Sequence, residues 1–437
     1  MNTADLVNER VGIVHSVESL PTRAGSPKFF HYSAQLCNLA GCGLHPVSAR
    51  LDGTAAERER ALTKVMAEAL RYYCAAFYDP DDLPMGCASD FSFDTVPGHR
   101  FALFSPEQYL EPDFPYMPLT PETPVRWTPA VEYTTGKTTY VPASFVRLPY
   151  RVKSWSGEVA VNPVSSAGLA VGPSFEDAAL NALCGAIEAD ALSLIWQLAI
   201  VPSQLRVETL SDRNYDVVSR FEKTLGSVTL LHADVGFGVP SILASLRATV
   251  PGAPSLVFAA GTSPDPGTAT SLALDNLALT LRYALEIKAH VAPPDQDAGL
   301  SRIATSADHL NYWAQASNAA GAAFLFTSKK RIESSELAAP KSASKVAILR
   351  DLVGRISREG HSVVFADLTT RDVRELGFSV VRAVVPGLHP LFAGYRYRAR
   401  GGTRLATISA RFARSRAGGS DMDNPLPHPF LIGGADS

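Results

Sequence analysis

The sequence places polar residues inside a helix that is otherwise apolar. This helix is predicted from Ser174 to about Leu198, and Asp177, Asn181 and Glu188 fall on one stripe because eleven residues make almost three turns. Two carboxylates and an amide among small and apolar side chains need a cation or hydrogen-bond partners when they are buried. Two interpretations follow: Asp177 caps the helix while Glu188 meets an arginine elsewhere, or the carboxylates bind Mg²⁺.

Two further acidic residues occupy similar positions on other helices. Glu68 lies at the edge of the apolar stripe of a helix predicted over about 54–77. Glu286 lies on a helix predicted over about 268–289. Spacing does not show that the three helices converge, so solvation at the surface is the alternative for each acid taken singly.

Other patterns that could carry chemistry are weak. Cys37, Cys42 and His45 suggest zinc, but a structural zinc site usually has four nitrogen or sulfur ligands and no second cluster has suitable spacing, so we reject this site. The sequence has no P-loop, no dinucleotide fingerprint and no Gly-x-Ser-x-Gly elbow. One basic cluster alternates with tyrosines, and we interpret it as a strand face and not as a nucleic-acid site. Its members are Arg396, Arg398, Arg400 and Arg404.

The elements that would position these residues alternate between helices and short strands. Thr54 and Glu57 resemble a capping box at the start of the first helix, and residues 127–141 favour a hairpin. Two strands over 362–367 and 378–385, joined by a short helix, resemble a βαβ unit whose strands pair in parallel. Further strands are predicted at 11–14, 29–33, 228–231 and 256–258, and a further helix at 344–357.

Composition narrows the class of protein. The 437 residues carry a net charge of −3 and are 46% hydrophobic, which excludes disorder and leaves no electrostatic footprint for nucleic acid or an anionic membrane. Five cysteines are too few for a disulfide framework. The first 20 residues contain no continuous apolar run, so neither a signal peptide nor a membrane anchor is expected. We therefore expect a cytoplasmic protein.

Several motifs, taken in order along the chain, resemble those of one known family. They are Ala67-Glu-Ala-Leu70 before Tyr73-Cys74, then Ala167-Gly-Leu-Ala-Val-Gly172 before Asp177 and Glu188, then Ala284-Leu-Glu286, and finally Val380-Val-Arg-Ala-Val-Val-Pro-Gly-Leu388 before Asn424-Pro-Leu-Pro-His-Pro429. Together they resemble the YcaO family, and the last third is similar to its peptide-cyclodehydratase branch.

The resemblance implies an α+β enzyme with mixed sheets, in which helices form a nucleotide site. It implies ATP and Mg²⁺ as cofactors. The implied cofactor-binding residues are Glu68, Asp177, Glu188 and Glu286, and the implied metal ligands are Glu68, Glu188 and Glu286. Such proteins convert Cys, Ser or Thr of a ribosomal precursor peptide to thiazoline or oxazoline by phosphorylating a backbone amide oxygen, as in bacteriocin maturation.

The resemblance also implies a tail, partners and a domain organisation. The proline-rich tail would reach the active site, with Pro427 and Pro429 as catalytic positions. The implied partners are the precursor peptide, a leader-peptide-binding protein of the ubiquitin-activating-like type, a second YcaO-like subunit and a flavin-dependent dehydrogenase of the same pathway. Residues 51–437 would form one YcaO-like domain with its tail, after a strand-rich segment over 1–50.

The chain departs from the family pattern at several positions. The family usually has Glu-x-x-Glu-Arg where this sequence has Glu68, Arg71 and Tyr72, and Arg71 is expected to face solvent because it lies opposite Leu62 on the helix. Other departures are Ala170, Asp177, Gly185, Ala189, Ala289 and His290. Two hypotheses therefore stay open: a catalytic cyclodehydratase subunit, or a YcaO-like partner that binds peptide or an intact subunit without using ATP.

Overall fold

A computed structural model describes residues 6–42, 49–153, 155–293, 299–413 and 424–431. The strands are β1 Val14–Leu20, β2 Phe30–Leu36, β3 Arg50–Ala55, β4 Met85–Gly86, β5 Val125–Glu132, β6 Thr138–Pro142, β7 Leu169–Gly172, β8 Ser203–Leu205, β9 Gly226–His232, β10 Ser241–Ala248, β11 Leu256–Thr262, β12 Arg331–Ile332, β13 Val364–Asp367 and β14 Ser379–Val384. The helices are α1 Arg58–Ala76, α2 Pro106–Tyr109, α3 Phe175–Gln197, α4 Asp212–Glu222, α5 Pro266–His290, α6 Ser306–Ala314, α7 Lys345–Arg358, α8 Arg371–Glu375 and α9 Arg404–Ala413.

The strands of the described residues form three sheets. The first has the order β1-β2-β3 and is antiparallel. The second has the order β11-β10-β9-β8-β12 and is mixed, because β12 runs parallel to β8 while the other neighbours are antiparallel. The third has the order β4-β5-β13-β14-β7, with β6 paired to β5, and is antiparallel throughout. The fold class is therefore α+β with mixed sheets, as expected.

The first sheet packs against two of the helices that carry the candidate site. Helix α1 lies on β2 and β3 and buries Val65 and Met66 there, and α5 also contacts β3. The proposed division at residue 50 coincides with the start of β3. Because β3 pairs with β2 along its length, one sheet spans both sides of that division.

Helix α1 begins later than the sequence pattern predicts. Thr54 lies in β3, where its buried hydroxyl is 2.8 Å from Nδ1 of His31, and the helix begins only at Arg58. Glu57 is the N-cap residue and its side chain makes no capping hydrogen bond. The predicted capping box is wrong because Thr54 lies within β3 and pairs with His31 of β2.

Helices α3 and α5 begin with the caps that their sequences favour. The Ser174 hydroxyl accepts a hydrogen bond from the backbone N–H of Asp177 at 3.1 Å, and Asp265 caps α5 by accepting from the N–H of Thr268 at 2.7 Å.

Within the described part of the chain, α3 is the one helix long and apolar enough to cross a membrane. Its most apolar stretch is 78% buried inside the protein, as is typical of a core helix.

Two predictions for the last third of the chain need correction. Strands β13 and β14 pair antiparallel, because the five-residue helix α8 is too short to carry a crossover to a parallel neighbour. The arginines after residue 395 do not form a strand face: Arg404 begins α9, and Gly394 and Gly402 adopt positive φ angles that interrupt any extended strand. The hairpin over 127–141 is confirmed as β5 and β6.

Candidate active site

Glu188 lies in the middle of α3, where that helix contacts β11. Burial raises the pKa of this carboxyl to about 7, although hydrogen bonds with Thr262 and the positive charge of Lys64 both favour the ionised form. A carboxyl with this pKa is close to half protonated at neutral pH. Glu188 is thus placed to gain or lose a proton when a cation arrives or leaves.

Lys64 of α1 connects the acidic residues of three helices. Its ammonium donates a hydrogen bond to Oδ1 of Asn276 at 2.9 Å and lies 3.9 Å from Oδ2 of Asp275, both on α5. The charges of Glu68 on its own helix and of Glu188 on α3 also act on it. Burial lowers the pKa of this ammonium, and the charge of Asp275 opposes the shift.

Asp275 is the most deeply buried carboxylate of this group. Its side chain is 1% exposed, and it accepts a hydrogen bond from Nε of Arg60 at 2.6 Å and a longer one, 3.4 Å, from the backbone N–H of Ala56. An ionised group at this depth needs such partners. Asp275 therefore anchors Lys64 and Arg60, and with them α1, to α5.

Glu68 and Glu286 each pair with an arginine of their own helix. Arg71 pairs with Glu68, and Nη2 of Arg282 lies 2.9 Å from Oε1 of Glu286. The two glutamate side chains are 39% and 44% exposed. Their arginines are more buried, at 17% and 19% exposed, so a glutamate that left its arginine would leave a partly buried guanidinium without its counter-charge.

The expectation that Arg71 faces solvent is wrong. Its side chain is 17% exposed, and besides Glu68 it contacts the backbone carbonyls of Ser166 and Leu169, the latter at 3.3 Å. Helix α1 packs against β7, so the side opposite Leu62 is covered as well.

Asp177 has a local partner. Its Oδ2 accepts a hydrogen bond from the Ser174 hydroxyl at 2.7 Å, which together with the cap of α3 accounts for its position in the first helical turn. Asn181, on the same stripe, is exposed, and its amide is 3.5 Å from the carbonyl of Val171. Asp177 and Glu188 thus have separate surroundings, and the binding role of Asp177 stays a prediction.

The described part of the tail is packed into the core. Pro427 and Pro429 are buried, and the indole N–H groups of Trp196 and Trp313 donate to the carbonyls of Leu426 and Pro427 at 2.9 and 3.1 Å. The catalytic role given to the two prolines stays a prediction. Residues 432–437 of the tail, and His45 of the rejected zinc site, lie outside the described residues.

The candidate ligands are of the chemical type that Mg²⁺ prefers, but their side chains are not gathered around one point in the described structure. Carboxylate oxygens are the ligands that Mg²⁺ prefers, and α1, α3 and α5 each supply one. Across residues 6–42, 49–153, 155–293, 299–413 and 424–431, however, no three His, Cys, Asp or Glu side chains form a group ready to hold a metal. Binding would require Glu68 and Glu286, the more exposed members of their ion pairs, to leave their arginines.

Sequence reasoning missed Lys64 and Asp275. Asp275 follows the run Ser271-Leu-Ala-Leu274 and so carries the same signal as Glu188, a carboxylate inside an apolar helix. Lys64 directly precedes the buried Val65 and had no comparable signal. Its role depends on contacts with helices that lie far along the chain.

Comparison with solved structures supports the fold. A heterocyclase in complex with substrate and cofactor has a TM-score of 0.76 at 16% identity, with 97% of this chain and 56% of that chain covered. A YcaO protein from Methanopyrus kandleri, bound with AMPPCP and Mg²⁺, has a TM-score of 0.63 at 19% identity, with 94% and 91% covered. The E. coli microcin synthetase complex McbBCD has a TM-score of 0.55 at 12% identity, with 94% and 96% covered. This chain therefore spans little more than half of the heterocyclase.

Sequence comparison identifies the family. No protein of curated function matches this sequence. Residues 52–389, more than half of the chain, match the YcaO cyclodehydratase family, which is described as ATP- and Mg²⁺-binding. ATP and Mg²⁺, expected from the motifs, are thus confirmed as the cofactors of the family. On this match, the chain belongs to the YcaO family.

Proposed function

We propose that this protein is a subunit of an ATP-dependent peptide cyclodehydratase that converts Cys, Ser or Thr of a ribosomal precursor peptide to thiazoline or oxazoline. One observation carries the proposal: the motif acids Glu68 of α1 and Glu188 of α3 lie around Lys64 together with Asp275 of α5. Burial raises the pKa of Tyr283, which lies less than one turn from Glu286 on α5, and the charges of Asp52 and Glu68 raise it further, so Glu68 of α1 lies near this end of α5 as well.

Glu68, Glu188 and Glu286 would hold Mg²⁺, and the basic side chains beside them would face the phosphates. When bound, Mg·ATP would supply the phosphoryl group that makes an amide oxygen a good leaving group. Lys64 would place its amine beside Glu188, and Glu188 would release its proton as a second cation approached.

The proposed partners are a precursor peptide, a leader-binding protein of the ubiquitin-activating-like type, a second YcaO-like subunit and a flavin-dependent dehydrogenase. Support comes from the fold, which is shared with a heterocyclase solved with its substrate and with a multi-subunit microcin synthetase. A cytoplasmic location and a role in bacteriocin maturation belong to the same proposal.

A second candidate function is favoured by the charges of the site. Lys64 already lies among the acidic residues, and Arg71, which carries a positive charge where the family usually has a glutamate, pairs with Glu68. A site neutralised by its own side chains has less need of a metal. On this reading the chain binds peptide or an intact YcaO-like subunit and does not use ATP.

Calorimetric titration with ATP separates the two functions. The purified chain is titrated with ATP in MgCl₂ and in EDTA, alone and mixed with the proteins encoded beside its gene. For a catalytic subunit we expect binding that requires Mg²⁺ and that Glu188→Gln weakens by at least about tenfold, because the amide keeps the shape but loses the ligand charge.

Glu222→Gln is the matched control, since Glu222 is an exposed carboxylate at the end of α4. It should bind ATP like the unchanged protein. Failure of ATP to bind in every mixture would leave the second function. Mixing with an intact YcaO-like subunit should then still give a complex, detected by its elution volume on gel filtration.

A further inference from the structure

A cavity opens beside β14, and none of the acidic residues described above lines it. Its volume is about 640 Å³, counting the part open to solvent. Aromatic and aliphatic side chains form most of its wall, among them Phe101, Phe145 and Phe392. Two ionisable side chains, Arg382 and His389, also line it. Neither the family motif acids nor Lys64 is part of this wall.

Arg382 is a buried cation without an acidic partner among the described residues. Its side chain is almost fully buried, and Nε and Nη2 donate to the backbone carbonyls of Phe145 and Ser165 at 2.8 and 2.6 Å. Nη1 has no hydrogen-bond partner. Burial and the nearby charge of Arg71 lower the pKa of this guanidinium to about 9, so it remains charged at neutral pH. An uncompensated buried charge favours the binding of an anion.

His389 supplies a hydrogen-bond acceptor in the cavity wall, whereas Arg382 supplies a donor. Nε2 contacts the backbone carbonyl of Ala399, and because a carbonyl only accepts, the ring proton is on Nε2. Nδ1 has no partner and is therefore a bare acceptor. Burial lowers the pKa of the ring to about 4, which keeps it neutral. The backbone N–H of His389 donates to Asp190 at 2.7 Å and fixes the loop.

We propose that this cavity binds an organic carboxylate with an apolar body and an N–H or O–H donor. The carboxylate would pair with Nη1 of Arg382, the donor would meet Nδ1 of His389, and the apolar body would contact the phenylalanines. A monoanion suits the site because one guanidinium supplies the charge and one of its nitrogens is free. The carboxyl end of a peptide and a free acylated amino acid share this chemistry.

The test uses N-acetyl-L-phenylalanine as the probe and its primary amide as the neutral analogue. Both are titrated into the full-length protein by calorimetry. We expect the acid to bind at least about tenfold more tightly than the amide, because the amide cannot compensate the charge of Arg382. Arg382→Met should abolish this preference. Arg374→Met, at an exposed arginine of α8, is the matched control and should retain it.

The proposal is tested by comparing the affinities of the acid and the amide for the unchanged protein, so the test does not require Arg382→Met to fold. Equal affinity for acid and amide, or no binding of the acid at about 10 mM, would overturn it. A peptide ending in phenylalanine distinguishes the two sources of the carboxylate. Tighter binding of the peptide than of the acetylated residue assigns a peptide end, and equal binding assigns a free small acid. ATP is left out, so the result does not depend on the proposed enzymatic function.

Discussion

Lys64 is the residue on which the chemistry of the candidate site depends. Its ammonium lies 3.9 Å from Asp275 of α5, and its charge also compensates Glu68 of its own helix and Glu188 of α3. One side chain thereby supplies positive charge in a region that would otherwise hold several carboxylates. A lysine beside potential metal ligands either competes with a metal or cooperates with it, and substitution of the lysine distinguishes these roles.

We predict that Lys64→Met lowers the free energy of unfolding by about 3 kcal/mol in metal-free buffer, because Asp275 and Glu188 lose a buried counter-charge while Arg60 still pairs with Asp275. MgCl₂ should restore part of this stability in the variant and have little effect on the unchanged protein. Chemical denaturation with and without Mg²⁺ measures both quantities.

Lys223→Met, at an exposed lysine after α4, serves as the control and should not respond to Mg²⁺. If Lys64→Met is as stable as the unchanged protein in the absence of Mg²⁺, the ammonium does not compensate the charges of Asp275 and Glu188.

At the scale of secondary-structure elements, a stacked pair of histidines joins the tail to α6. The rings of His309 and His428 are 4.1 Å apart, and Nδ1 of His309 lies 2.6 Å from the backbone carbonyl of His428. Burial lowers the pKa of both rings, that of His309 to about 4, and the neighbouring ring and Arg398 lower that of His428 further. Both rings are therefore neutral in the folded protein at pH 7.

Stability should consequently fall as the solution becomes acidic. The unfolded chain binds a proton at His309 near pH 6.5, and the folded protein binds it only near pH 4. The contribution of His309 to the free energy of unfolding is therefore complete above pH 6.5 and is lost progressively as pH falls toward 4. We expect about 3 kcal/mol from this residue over that range, measured by urea denaturation at several pH values.

His309→Gln should remove about 3 kcal/mol of this pH dependence, which is the share of His309, whereas His15→Gln, at an exposed histidine, should leave it unchanged. A pH profile that is the same for His309→Gln and for the unchanged protein would show that other groups cause the acid sensitivity.

Elements with local signals could be predicted from the sequence, and those that depend on distant partners could not. Ser174 followed by a long apolar run predicts α3 correctly, because cap and helix are adjacent in sequence. The direction of β13 relative to β14 depends on the length of the connection, because a parallel pair needs a long crossover. The apolar pattern of the two strands gives no information on that length. Glu188 was recognisable within its own helix, but Lys64 is explained only by α5, more than 200 residues away.

At the scale of the whole molecule, a buried ion pair connects the central helix to the last one. Asp190 of α3 is fully buried and accepts hydrogen bonds from Nε and Nη2 of Arg404 at 2.7 and 2.6 Å. It also accepts from the N–H of His389, and the guanidinium of Arg404 stacks on Phe237. Segments far apart in the sequence therefore depend on one carboxylate.

We predict that Arg404→Met lowers the free energy of unfolding by about 3–5 kcal/mol, because it leaves Asp190 buried without its counter-charge. Asp190→Leu combined with Arg404→Met should recover much of this loss, since no charge is then buried. Denaturation of the two single variants and the double variant completes the cycle. A double variant less stable than Arg404→Met would mean that the carboxylate matters for reasons other than charge pairing.

Three successive residues of α3 face three different surroundings. Glu188 belongs to the acidic site, Ala189 lines the cavity beside Arg382, and Asp190 holds Arg404. A helix turns by 100° per residue, so these surroundings lie around a single rigid rod. A ligand that rotates or shifts the rod at the acidic site would therefore change the free energy of binding at the cavity, and a ligand in the cavity would do the same to the acidic site. By thermodynamic linkage the effect is mutual and equal in magnitude: a carboxylate that changes the affinity for ATP has its own affinity changed by the same factor.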